Sequence, residues 1–159
     1  MTTIVQYSLK IIVINFFLLI FNMAYSFDYE IEYHAKRKTI KSIPISKDEK
    51  FISFTLDGTF SDNLGNYGFL EQASTLILKD NNVLKLDGYG KTIYQNRQAT
   101  FHRGYRSQQE QDAGVGESVV LEATDNFKIL KGMRCKYAVK FFEDTAYVLS
   151  KCKITKKQK

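Results

Sequence analysis

The stretch Arg134–Ile154, RCKYAVKFFEDTAYVLSKCKI, constrains the fold more than any other. Two apolar-rich halves meet at Glu143-Asp144, and a two-residue hairpin loop there pairs Phe142 with Thr145. Carried down both strands, that register sets Cys135 opposite Cys152, the only two cysteines in the chain. The pair falls at a non-hydrogen-bonded position, where Cα atoms approach most closely and a disulfide is within reach.

A disulfide needs an oxidising compartment, and the N-terminus supplies the means of reaching one. Lys10 is the only charge among the first 26 residues, Ile11 to Phe21 is apolar except for Asn15, and Ala24-Tyr25-Ser26 offers a small-residue cleavage site. This is the pattern of a secretory signal peptide, with an apolar run shorter than the roughly 20 residues of a membrane-spanning helix. The expected layout is a signal peptide over 1–26, one domain over 27–155 and a basic tail over 156–159. The processed protein is expected to be secreted or periplasmic and not integral to a membrane. Of the net charge of +6, +5 lies beyond the signal, much of it in Lys151, Lys153, Lys156, Lys157 and Lys159. Such an excess favours weak contact with anionic envelope surfaces. An exported chain with no recognisable module gives no ground for nucleic-acid binding.

Beyond residue 26 no sustained helical period of apolar residues occurs, whereas alternation by two is common. Phe27, Tyr29, Ile31 and Tyr33 form one strand face; residues 35–45, with the only proline at 44, read as a connection or an irregular edge strand. Ile52, Phe54 and Leu56 mark a second strand, followed by the turn formers of 61–66. Between Tyr67–Lys79 and Val83–Tyr89 a three-residue loop pairs Leu78 with Leu84 and Leu76 with Leu86, with Asn82 left-handed. A strand over 98–107 is followed by a polar stretch, 108–116, expected to be a long mobile loop, and Val119 and Leu121 lie on one face of the next strand. About eight strands with short connections predict an all-β fold, a single antiparallel meander barrel, with a β-sandwich as the alternative. A barrel of that size is filled by side chains or holds one small ligand.

The strand over 98–107 is the richest candidate for a site. It puts Phe101, Arg103 and Tyr105 on one face and Thr100, His102, Gly104 and Arg106 on the other. With Phe101, Arg103 and Tyr105 inside, joined by Tyr89, the barrel would offer a guanidinium and aromatic rings to an anionic or amphiphilic small molecule, with the 108–116 loop as a lid. The opposing reading packs Phe101 and Tyr105 in the core, leaves His102 and Arg106 in solvent and pairs Arg103 with an internal carboxylate. His102 is a fifth candidate ligand-binding residue, and His102 or Tyr105 is the candidate proton-transfer group. With His34 and His102 the only histidines and no ligand spacing, no metal site is expected. No cofactor is expected either, because Gly114-Val115-Gly116 and Gly88-Tyr89-Gly90 lack the following helix of a dinucleotide loop.

Thr124-Asp125-Asn126-Phe127, Gly132 five residues after the phenylalanine, and then Tyr137 resemble a pattern in small exported barrels of the allene oxide cyclase and dirigent type. The likeness spans Gly88 to Tyr137; Ala123-Thr124-Asp125 stands where the family has Gly-Thr-Gly. It implies a barrel with an apolar ligand and carries over no catalytic residue, because fold analogy does not assign chemistry. The expected function is thus non-enzymatic binding of a small anionic or amphiphilic ligand inside an exported barrel. The alternatives are an isomerase or cyclase using the same cavity, and an envelope interaction protein with a fully packed barrel.

Overall fold

Period-two burial organises the strands that make up most of the described residues. In the computed structural model residues 26–107 and 109–155 are described, with side chains from 28 to 107 and from 110 to 153. The strands are β1 (Ser26–Pro44), β2 (Glu49–Asp62), β3 (Tyr67–Lys79), β4 (Asn82–Tyr94), β5 (Ala99–Arg106), β6 (Gln109–Glu110), β7 (Ala113–Ala123), β8 (Arg134–Phe142) and β9 (Thr145–Thr155). A 3-10 helix spans Asp125–Leu130. The sheet runs from β3 through β2, β1, β9, β8, β7 and β5 to β4, and pairing of β3 with β4 closes it. The result is the expected antiparallel barrel of eight strands, with the two-residue β6 added beside β4. The expected signal peptide, apart from Ser26, and the basic tail lie outside the described residues.

Inward positions follow from alternation. Along β3, Leu70, Ser74, Leu76 and Leu78 are buried while Glu71, Ala73 and Thr75 between them are exposed. Phe54 and Leu56 of β2, Val83 and Leu86 of β4, Val139 of β8 and Ala146 of β9 complete that core. A second cluster gathers Tyr29, Ile31, Phe60 and Tyr94 around Cys135 and Cys152. Here the β8–β9 hairpin has the expected register: Phe142 faces Thr145 and Cys135 faces Cys152. The two cysteines are bonded, with Cα atoms 4.1 Å apart.

The 3-10 helix packs at the end of the barrel where the β4–β5 turn lies; Thr124 N–H donates to Ala99 O over 2.9 Å, and Phe127 stacks on Tyr94 with ring centroids 4.0 Å apart. Below it the Tyr29 hydroxyl donates to Asp62 Oδ2 over 2.8 Å. Burial raises the Tyr29, Tyr33 and Tyr94 phenols above the ordinary tyrosine range, so all three stay protonated.

Of the two readings of residues 35–45, the irregular strand holds through Pro44: it continues β1 against β2, with a bulge between Thr39 and Lys41. Three expectations are corrected. The β3–β4 loop has two residues, Asp80 and Asn81, both left-handed with φ of 47° and 63°. Leu78 therefore faces Val83, and an irregularity beyond it restores the expected pairing of Leu76 with Leu86. The bulged residue is Leu84, which turns outward and is 39% exposed. The stretch 108–116 is not one long loop, since β6 pairs with β4 and β7 begins at Ala113 against Lys140. Backbone pairing outweighs the polar, glycine-containing composition there, because the ladders of β6 with β4 and of the start of β7 with β8 satisfy backbone groups whatever the side chains.

Candidate site in the barrel interior

The β5 strand faces opposite to the expected way. Gly104 and Arg106 are buried, and with Thr100 and His102 they line the interior, whereas Tyr89 and Phe101 are 56% and 38% exposed on the outer wall. Arg103 is outside as well; its Nε and Nη2 donate to the two carboxylate oxygens of Asp87 at 2.8 and 2.6 Å. Its guanidinium lies 5.7 and 5.8 Å from the ring centres of Tyr89 and Tyr105. The Tyr105 hydroxyl donates to Glu117 over 2.7 Å. Of the five residues expected at an interior ligand site, His102 alone points in; Arg103, Tyr105, Phe101 and Tyr89 form an outer surface cluster.

The physical reason lies in the glycines. A Cβ on Gly90 would come within 2.5 Å of His102 Nε2, and one on Gly88 within 2.9 Å of the Gln72 amide nitrogen. A Cβ on Gly116 would run into the Tyr137 ring, and Gly104 lies under the same ring. Bare backbone on β4, β5 and β7 thus makes room for the large polar side chains of His102 and Tyr137 inside a narrow barrel. Matching aromatic residues to the interior on hydrophobicity alone inverted the strand.

What remains open inside is a cavity of about 90 Å³. Its apolar wall includes Phe54, Leu56, Leu70, Val120, Val139 and Val148, and its polar groups come from Gln72, Thr100, His102, Arg106, Ser118, Tyr137 and Ser150. Arg106 is the unusual member. It is 5% exposed, its Nη2 donates to Gln111 O over 2.9 Å and its Nη1 to Glu110 O over 3.4 Å. Its Nε is buried and has no hydrogen-bond partner. Among the described residues no carboxylate pairs with it; burial lowers its pKa, and the charge of Asp112 opposes that from farther off. A guanidinium is seldom buried without an anion, since desolvation is then uncompensated. Arg37 sits 4.6 Å from the ring centre of Phe141, another cavity-lining residue.

Burial pushes the Tyr137 hydroxyl up to about 12, so it remains a proton donor at neutral pH. Burial lowers His102 to about 4, leaving a neutral imidazole. Among the described residues neither side chain has a hydrogen-bond partner. The unfolded chain binds a proton at His102 near its ordinary value of 6.5, while the folded protein refuses it until about 4. Stability is therefore expected to fall as pH drops from 6.5 to 4, by at most about 3 kcal/mol at the lower end. Urea unfolding across that range checks it: His102→Gln, which cannot take up a proton, flattens the profile. An unchanged slope in the variant would remove the burial assignment.

Sequence reasoning missed Arg106, Tyr137 and Gln72 as cavity residues. The available signal was the glycine spacing: Gly88, Gly90, Gly104, Gly114 and Gly116 fall on inward positions, as small residues must where large ones cross the barrel. Among the described residues no group of His, Cys, Asp and Glu is arranged to hold a metal, and no helix is long and apolar enough to cross a membrane. Compared with known proteins, the chain matches no family model and no curated sequence.

Proposed function

We propose that this is an exported binding protein, secreted or periplasmic, which holds a small organic anion inside the barrel with its carboxylate at Arg106. The observation that carries the reading is the buried guanidinium whose Nε–H has no hydrogen-bond partner and which no carboxylate pairs with among the described residues. A planar carboxylate beside Nε completes the donor set in the geometry guanidinium groups favour. Tyr137 offers a hydroxyl donor and His102 a neutral imidazole to the same ligand. The apolar wall from Phe54 to Val139 suits a short hydrocarbon portion. A cavity of about 90 Å³ lies well below the roughly 300–1,000 Å³ of pockets for drug-sized ligands, so it suits a small ligand such as a short-chain carboxylate. Long amphiphiles need several times that volume.

A thermal-shift series at fixed ionic strength tests this with acetate, propionate, butyrate and lactate against chloride. At least one carboxylate is expected to raise the melting temperature by several degrees at saturation. Arg106→Met, which keeps the length of the side chain and removes the charge, is expected to abolish that rise. A folded wild-type protein that responds to none of these anions would overturn the reading.

An isomerase or cyclase in the same cavity is the second reading, favoured by two titratable side chains that face the cavity with no hydrogen-bond partner among the described residues. It ranks below binding because an imidazole with a pKa of about 4 is a weak base at neutral pH.

A further inference from the structure

The outer surface of the β1–β2 hairpin combines features that the barrel does not use. Arg37 N–H donates to Asp144 O over 2.6 Å, and Asp144 lies in the turn between β8 and β9. Beyond that point β1 has a neighbour on one side only: Thr39, Ser42, Ile43 and Pro44 pair with Phe54, Ile52, Phe51 and Lys50 of β2. Every residue from 38 to 48 is exposed.

Two kinds of side chain dominate this projection. Ile40, Ile43 and Ile45 are 57%, 46% and 54% exposed. Ile43 lies across from Phe51, and Phe51 across from Ile77, so an aliphatic and aromatic row continues over the outer wall. Around it stand Lys38, Lys41, Lys47 and Lys50, none of them in an ion pair among the described residues, against Asp48 and Glu49. Lys36 is the exception, paired with Asp144 at 3.1 Å.

A free strand edge can also accept another strand, but this one carries the features that block such pairing. It has a bulge between Thr39 and Lys41, lysines at 38 and 41, and Pro44, which lacks an N–H. Exposed isoleucines among unpaired lysines match instead the boundary of an anionic bilayer, where aliphatic groups enter the acyl region and ammonium groups meet phosphates. We propose that the β1–β2 hairpin seats the protein on an anionic lipid surface. The surface lies outside the cavity and does not depend on what the cavity holds.

Co-sedimentation of the purified protein with vesicles of phosphatidylcholine, alone or mixed with phosphatidylglycerol, tests the proposal. Binding is expected only with phosphatidylglycerol present, and is expected to weaken as salt rises. Ile43→Ser/Ile45→Ser and Lys38→Ser/Lys41→Ser are each expected to weaken it by roughly tenfold or more. All four positions are exposed, so the variants are expected to melt within a few degrees of wild type. Failure to bind phosphatidylglycerol vesicles overturns the proposal, as does full binding by both hairpin variants. Loss of binding only when residues 156–159 are removed also overturns it, by moving the contact to the tail. Protection of the Lys38–Ile43 amides from exchange by poly-glutamate but not by vesicles would make the edge a peptide site and overturn it as well.

Discussion

Gly58→Ala is expected to destabilise the barrel by about 3 kcal/mol or more, a drop of roughly 10 °C in melting temperature. Gly58 faces Ala35 across the β1–β2 ladder. A Cβ at this position would lie 2.5 Å from Ala35 Cα and 2.8 Å from Ala35 Cβ, and closer still to the His34 carbonyl oxygen. Two of these three atoms are backbone, and Ala35 is 2% exposed, so no flexible side chain can move aside. Relief requires separating β1 from β2, which strains the whole ladder. Gly65 is the control. It is left-handed, with φ of 83°, and has open space around it, so Gly65→Ala pays only the backbone conformational cost, about 1 kcal/mol. Urea and thermal unfolding of the pair measure the difference. A Gly58→Ala protein within about 0.5 kcal/mol of wild type would mean that the two strands are not packed this closely.

Removing the disulfide is expected to have a comparable effect. Cys135 and Cys152 are 17 residues apart in sequence, a loop for which the chain-entropy model gives about 3 kcal/mol. A two-residue turn already favours the hairpin in the unfolded chain, which reduces the entropic part. Packing works the other way. Both cysteines are buried, 5% and 2% exposed, and touch the cluster of Tyr29, Ile31, Phe60 and Tyr94. Cys135→Ala/Cys152→Ala therefore loses sulfur contacts as well as the bond, and is expected to melt roughly 10 °C below wild type. Reduction without substitution is expected to give a smaller drop, because the sulfur atoms remain. Equal melting temperatures for oxidised and reduced protein would show that the bridge contributes nothing to the fold.

These two positions differ in how well the sequence announced them. The cysteines were legible because a two-residue turn propagates its register along both strands, and Cys135 and Cys152 are counted from it. Gly58 was not, since nothing in LDGTF says that Ala35 lies against it. The β3–β4 hairpin falls between the two cases. The leucine pattern fixed the pairing of Leu76 with Leu86, but a two-residue turn followed by a bulge at Leu84 reaches the same pairing as a three-residue loop. Apolar patterning registers the distant pairs and is blind to where the extra residue is placed.

The candidate site shows the same division. Alternation alone established that β5 has one face with Phe101, Arg103 and Tyr105 and another with Thr100, His102, Gly104 and Arg106. The number of strands and their short connections pointed to an antiparallel barrel of about eight strands, with a sandwich as the alternative, and the turn register gave the disulfide across the last hairpin. These properties depend on neighbours in sequence or on counting from a turn. Which face of β5 looks inward was decided only by the closed barrel. There the Tyr137 ring from β8 covers Gly104 and Gly116, His102 covers Gly90, and Asp87 holds Arg103 outside. The interior of a narrow barrel is shared by all its strands, so the room for each side chain is set by residues on the others. That is why the buried arginine is Arg106, two strands away from the tyrosine beside it.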